Sequence, residues 1–196
     1  MGKKYLTATA AIIIAIVSIL FFFIPNSLEL FSFSGIKFLS GELWRLLTFS
    51  FTHISGSHLK ENLIALGVVA LLAKEFGFPS KLFMALFLIT SILVALLEAT
   101  IFPTLIIAGA SLGIYGVLGS LSMKGTPAIS SRWLIIILGL SVFVKYAIDA
   151  FTCHSCAQDQ LLTQSWFHFF GFVAGIAIFY PIKKKKIHIL TGEDHD

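Results

Sequence analysis

The sequence has few charged side chains and only two cysteines. Charged residues make up 12% of its 196 residues, whereas 57% are hydrophobic. Soluble globular domains are about one quarter charged, so the shortage of charge excludes an ordinary soluble protein and indicates a chain that folds in lipid. At this length we expect one compact membrane domain over residues 1–196.

Basic residues are also scarce away from the chain ends. Much of the net charge of +4 comes from the four lysines at 183–186, directly after an apolar segment. A lysine cluster in that position is typical of a cytoplasmic anchor beside anionic lipid. The distribution therefore predicts the lipid bilayer as a partner and excludes nucleic acid.

Six apolar stretches are near the length of roughly 20 residues that crosses a bilayer as a helix. They are residues 6–25, 58–76, 81–101, 105–122, 133–152 and 164–182. Ten of the fourteen Lys and Arg residues then lie on the side of both termini, which the positive-inside rule assigns to the cytoplasm. We therefore predict an all-α, multi-pass cell-membrane protein with a cytoplasmic tail at 183–196. Because no small-residue cleavage site or organelle-targeting presequence is apparent, we expect an uncleaved first span in a bacterial or archaeal cell membrane.

The long outer connection, residues 26–57, is too apolar for a free loop and too charged to cross the bilayer. Segments of this kind usually lie in the membrane interface. Trp44 beside Arg45 fits that depth as an amphipathic ring and a snorkelling cation.

The fourth apolar stretch contains glycines at 109, 113, 116 and 119, three or four residues apart and so on one side of a helix. Small residues at this spacing let a neighbouring backbone approach closely. Ser111 lies among them near the outer start of the helix, with Tyr115 on the same face. Ser111 is either a structural hydroxyl bonded to its own backbone or a nucleophile presented at a glycine-bearing helix entry.

The sixth stretch places His168 in line with Gly171 and Gly175. This spacing suits a helix pressed against the glycine side of the fourth helix. His168 is then either a structural histidine or the base that accepts a proton from a serine on the facing helix.

His58 and Asn62 are four residues apart and share a face near the start of the second stretch. Their N–H groups suit the stabilisation of a developing oxyanion. Metal binding by His53, His58 and His168 is the rival interpretation, but no carboxylate or further histidine completes a recognisable metal-ligand spacing.

Four motifs together resemble the rhomboid family of intramembrane serine proteases. They are "WR" at 44–45, "HLKEN" at 58–62, "GASLGIYG" at 109–116 and "HFFGFVAG" at 168–175. The resemblance implies a six-helix fold, with Ser111 as nucleophile and His168 as general base. It also implies an oxyanion hole formed by His58, Asn62 and the Ser111 backbone N–H. The supporting residues that it implies are Tyr115, Gly109, Gly113, Gly171, Gly175, Trp44 and Arg45.

This resemblance implies an endopeptidase that cuts single-span membrane proteins near the outer bilayer surface, with no metal or cofactor. One residue departs from the family pattern: Leu112 follows Ser111, where the family usually has glycine. The alternative function is therefore a rhomboid-like pseudoprotease that binds membrane clients without cleaving them. A small transporter is a third interpretation, although the polar groups gather in the outer half rather than along a continuous path.

Several polar residues receive no role at this stage. Lys145 and Asp149 form a structural or snorkelling pair, or else Asp149 orients His168. We expect Glu98 to be interfacial. Cys153 and Cys156 either form a disulfide, stay reduced, or bind metal with the histidine between them.

Overall fold

The chain folds into helices. A computed structural model describes residues 6–124, residues 136, 144 and 148, and residues 158–191. Within these residues there is no β-strand, only an isolated antiparallel bridge between Phe33 and Ile107. The helices in chain order are α1 (Leu6–Phe22), α2 (Ser27–Phe31), α3 (Gly35–Leu39), α4 (Arg45–Thr48), a 3-10 turn (Phe49–Phe51), α5 (Gly56–Glu75), α6 (Ser80–Ile101), α7 (Ser111–Lys124) and α8 (Gln158–Thr191). This confirms the all-α fold class for the described part of the chain.

Helix α7 is the centre of the bundle. Every residue from 112 to 122 is buried, because α5, α6 and α8 all pack against this one short helix. The surrounding helices instead expose large apolar side chains, a pattern that is unfavourable in water and suits lipid. Examples are Ile12, Ile16 and Leu20 of α1, Ile64 and Leu71 of α5, and Leu93 and Leu97 of α6.

Two of the described helices, α5 and α6, are long and apolar enough to cross a membrane by themselves. Two shorter apolar helical segments, Ala8–Phe22 and Trp166–Ile182, accompany them. The predicted span at 133–152 falls outside the described residues except for helical positions 136, 144 and 148. Lys145, Asp149, Cys153 and Cys156 also lie outside the described residues.

The prediction of a helix over 105–122 is wrong at its start. Residues 105–110 are not helical: the backbones of Phe33 and Ile107 exchange hydrogen bonds of 2.9 and 2.8 Å. Gly109 follows with a φ of +122°, which an L side chain rarely adopts. Helix α7 therefore begins only at Ser111.

The cytoplasmic tail predicted from residue 183 stays a prediction, and its first residues are helical. The backbone of α8 stays helical through the lysine run to Thr191. Hydropathy marks the end of the apolar segment, but lysines are good helix formers and do not end the helix.

The connection 26–57 is a folded unit held by Arg45. Its guanidinium donates to the carbonyl oxygens of Glu29 at 2.8 Å and Ser32 at 2.7 Å, and to the carboxylate of Glu42 at 2.7 Å. Only 4% of Arg45 is exposed. The prediction of a snorkelling cation is therefore wrong, because three acceptors within the loop replace water. Trp44 remains half exposed, and its indole N–H donates to the carbonyl of Leu30 at 3.2 Å.

Glu98 near the end of α6 is buried within the protein, and its interfacial depth stays a prediction. Its side chain is 1% exposed, and neither carboxylate oxygen has a hydrogen-bond partner among the described residues. The folded connection packs on α6 through α3 and α4.

Candidate active site

Ser111 is the first residue of α7, and the backbone before it turns sharply. The N–H of Gly109 donates to the carbonyl of Phe49 at 2.9 Å, and the N–H of Ile114 to the carbonyl of Ala110 at 3.0 Å. These bonds fix the left-handed turn at Gly109 and the first turn of the helix. The Ser111 side chain is consequently half-buried rather than enclosed.

A cavity of about 530 Å³ lies above this helix start. Ser111, His58 and His168 all line it, together with Gly109, Leu112 and Phe167. The cavity therefore brings three predicted site residues from α5, α7 and α8 to one largely apolar space. Such a space, with a few converging polar groups, is the usual form of a ligand or substrate site.

His168 is buried, with 8% of its surface exposed. Its ring stacks on Tyr115, with the ring centres 4.6 Å apart and the planes 25° from parallel. Tyr115 is one helical turn beyond Ser111 on α7, so the stacking holds the imidazole beside the helix that carries the serine.

The two glycines of α8 permit this close approach. A Cβ at Gly171 would lie 3.0 Å from the carbonyl oxygen of Leu112, and one at Gly175 would overlap the backbone of Gly116. The hydroxyl of Ser120 lies 2.9 Å from the carbonyl oxygens of both Gly116 and Gly175. Helices α7 and α8 are thus in backbone contact two turns beyond His168.

The prediction that the glycines of the fourth apolar stretch form one face toward α8 is wrong. A Cβ at Gly113 would collide with the ring of Phe87, and one at Gly116 with Thr90, both on α6. Only Gly119 directs its Cβ position at α8, against the carbonyl of Phe172. Gly109 lies before the helix. The physical reason is that α7 is central, so its small residues serve two neighbours.

His58 and Asn62 lie on the first turns of α5, whose N-cap is Ser55. The Ser55 hydroxyl accepts the N–H of His58 at 3.2 Å, and the Asn62 amide donates to the His58 carbonyl at 2.9 Å. A Cβ at Gly109 would lie 2.7 Å from His58 Cε1, 3.1 Å from its Nε2 and 3.8 Å from Asn62 Nδ2. Both side chains therefore approach the backbone just before Ser111.

A comparison with protein families matches the Rhomboid domain over residues 40–185, about three quarters of the chain. The chain belongs to the rhomboid family. No match was found among curated proteins. The matched region of this rhomboid contains both segments of the cavity that carry Ser111 and His168.

Leu112, the departure from the rhomboid serine motif, is buried with 3% exposure. It belongs to an apolar cluster that includes Phe33 and Phe49 of the connection and Val94 of α6. Leu112 thus packs the start of α7 against the folded connection. Its side chain occupies core space where a glycine would leave a gap.

His53 lies beside His58 of this rhomboid site, and its sequence pattern indicated only the rival metal hypothesis. Its ring centre is 5.3 Å from that of His58, and it is 5% exposed. Burial and the neighbouring His58 lower the pKa of His53 to about 4, against the opposing effect of its bond to the Phe51 carbonyl. The described residues contain no group of three or more His, Cys, Asp or Glu that could hold a metal ion. The sequence signal for His53 was its position five residues before His58.

Proposed function

We propose that this rhomboid is an intramembrane serine endopeptidase that uses Ser111 and His168 as a catalytic dyad. The observation that carries the proposal is the shared cavity, which Ser111, His58 and His168 line together. A hydroxyl, two imidazoles and a nearby amide, gathered from three helices, suit acyl transfer.

In the proposed reaction the Ser111 Oγ attacks the carbonyl carbon of the scissile peptide while His168 accepts the hydroxyl proton. The carbonyl oxygen becomes an oxyanion, which His58, Asn62 and the Ser111 N–H stabilise by donating hydrogen bonds. Loss of one such donor typically costs about 2.7–4 kcal/mol of transition-state stabilisation. His168 then protonates the leaving amine, which leaves an acyl ester on Ser111. Water, deprotonated by His168, hydrolyses this ester and restores the serine.

The proposed position in the membrane follows from the predicted topology. With both termini in the cytoplasm and six spans, the fourth span runs inward from the outer surface, so Ser111 at the start of α7 lies in the outer half of the membrane. The cavity then opens toward that surface, where a single-span substrate that unwinds locally presents its peptide bond. Small residues at the cut are what the family resemblance implies.

The proposal is tested by cleavage of single-span membrane substrates in proteoliposomes. We expect the native protein to cleave, and S111A and H168A to be inactive although folded. Ser91→Ala is the matched control, because it also removes a buried hydroxyl, one bonded to Phe87 within α6 at 2.8 Å, and should leave cleavage intact. Folded native protein that binds such substrates but never cleaves them would replace the protease by a client-binding pseudoprotease.

A further inference from the structure

The two histidines at the start of α5 have nitrogens that the proposed reaction does not use. His53 Nδ1 lies 3.2 Å from the carbonyl oxygen of Phe51. A carbonyl oxygen only accepts hydrogen bonds, so Nδ1 carries the hydrogen of the neutral His53 ring. The Nε2 atom of His53 is then a lone-pair acceptor. With a pKa lowered to about 4 by burial, this ring is neutral at pH 7.

The proposed role of His58 requires the other tautomer, with the hydrogen on Nε2. Its Cε1–Nε2 edge faces Gly109 at the cavity, so donation to an oxyanion requires the hydrogen on Nε2. The Nδ1 atom of His58 is then also a lone-pair acceptor. His53 Nε2 and His58 Nδ1 are both buried, and neither has a hydrogen-bond partner within the described segments of the chain.

We propose that one water molecule bridges His53 Nε2 and His58 Nδ1 and donates a hydrogen bond to each. Two lone pairs cannot satisfy each other, whereas water carries two donors and needs only a small polar site. The ring centres are 5.3 Å apart, close enough for a single water to reach a nitrogen of each ring.

The bridge makes His53 a positioning residue. Its lone pair orients the water, the water occupies the lone pair of His58 Nδ1, and the hydrogen of His58 stays on Nε2, toward the cavity. The catalytic consequence rests on the proposed function, but the water site and the tautomer do not. A metal ion is the competing ligand of these two nitrogens, and the described residues supply no third ligand to complete its coordination.

Three substitutions of His53 separate positioning from packing. His53→Gln places an acceptor oxygen or amide nitrogen where Nε2 stands, whereas His53→Asn reaches only the position of Nδ1 and keeps the bond to Phe51. His53→Phe keeps a ring and removes both nitrogens. We expect nitrogen-15 NMR of histidine-labelled protein in detergent to show His58 as the Nε2–H tautomer in the native protein and in H53Q. In H53N and H53F we expect a mixture of tautomers.

Turnover gives the second readout. Because an oxyanion donor acts in the transition state, kcat in H53N and H53F should fall by roughly 10-fold with KM little changed, and H53Q should recover most of it.

Three results would overturn the proposal. The first is a His58 tautomer that stays the same in all three variants. The second is an equal loss of kcat in H53Q and H53N with the native tautomer retained, which would mean a packing role only. The third is a change of the native His58 signals when EDTA is added, which would mean a metal ion at the site. If the native protein cleaves no substrate yet its His58 tautomer still depends on His53, the proposed function fails and the water site stands.

Discussion

Replacing Gly175 with alanine should separate the two helices that carry the proposed dyad. The added Cβ would overlap three backbone atoms of Gly116 on α7. Backbone atoms cannot rotate aside as a side chain can, so α8 must move away from α7. The same movement lengthens the contact between the Ser120 hydroxyl and the Gly175 carbonyl, now 2.9 Å.

The size of the effect follows from these two losses. Overpacking of a core costs about 1–3 kcal/mol, and a lost hydrogen bond about 1 kcal/mol. We therefore expect G175A to lower the free energy of unfolding by about 2–4 kcal/mol. His168 is two helical turns away from Gly175 on the same helix. A displacement of about 1 Å at a catalytic group can lower the rate about 100-fold, so kcat/KM should fall by about 100-fold.

The chain offers a matched control for this experiment. Gly67 lies inside α5, and a Cβ there would meet nothing within 4 Å. Gly67→Ala should be neutral or stabilise the protein by up to about 1 kcal/mol. Gly171→Ala should fall between the two, because its Cβ would be 3.0 Å from the Leu112 carbonyl oxygen. Thermal unfolding and cleavage rates in the same detergent measure all three variants, and a G175A protein indistinguishable from G67A would show that the backbone overlap does not separate α7 from α8.

Three further predictions concern the loop, the core and the pH. Arg45→Ala leaves the buried carbonyl of Ser32 without its donor, at a cost of about 1–3 kcal/mol. The carbonyl of Glu29 loses one donor and keeps Lys37 Nζ at 3.1 Å. Limited proteolysis should therefore cut residues 26–57 faster in R45A than in native protein, and equal rates would contradict the bonding described. Leu112→Gly brings the sequence closer to the family motif but opens a cavity in the core. Thermal unfolding should therefore show the free energy of unfolding lowered by at least about 3 kcal/mol. Unchanged stability would mean that the apolar cluster around Leu112 is not tightly packed. Between pH 6.5 and 4 the His53 ring binds a proton in the unfolded chain but stays neutral in the folded protein. The free energy of unfolding should therefore fall as the pH is lowered through this window, by at most about 3 kcal/mol. H53Q should lose this part of the pH dependence, and stability curves of H53Q and native protein that stay parallel would contradict the assignment.

The sequence predicts features that depend on local periodicity. The apolar runs locate α1, α5 and α6, because a bilayer-spanning helix is a property of one continuous segment. The spacing of His168, Gly171 and Gly175 predicts a close helix contact, since three- and four-residue steps define one helix face. The structure has that contact between α7 and α8.

Features that depend on distant partners are not predictable in this way. Residues 105–110 are as apolar as a span, but Ile107 pairs with Phe33 and Gly109 bonds to Phe49, both distant in sequence, and the segment is not helical. Arg45 is buried because its acceptors lie in an irregular loop, which hydropathy does not describe. Gly113 faces α6 rather than α8, because a helix face does not identify its neighbour.

The most direct test of the central claim is to map the residue that a fluorophosphonate modifies in detergent-purified protein. We expect a single adduct on Ser111 by peptide mass spectrometry, and no adduct in S111A or in folded H168A, because the serine needs the histidine as its base. An adduct on another serine, or undiminished labelling of Ser111 in H168A, would contradict the dyad.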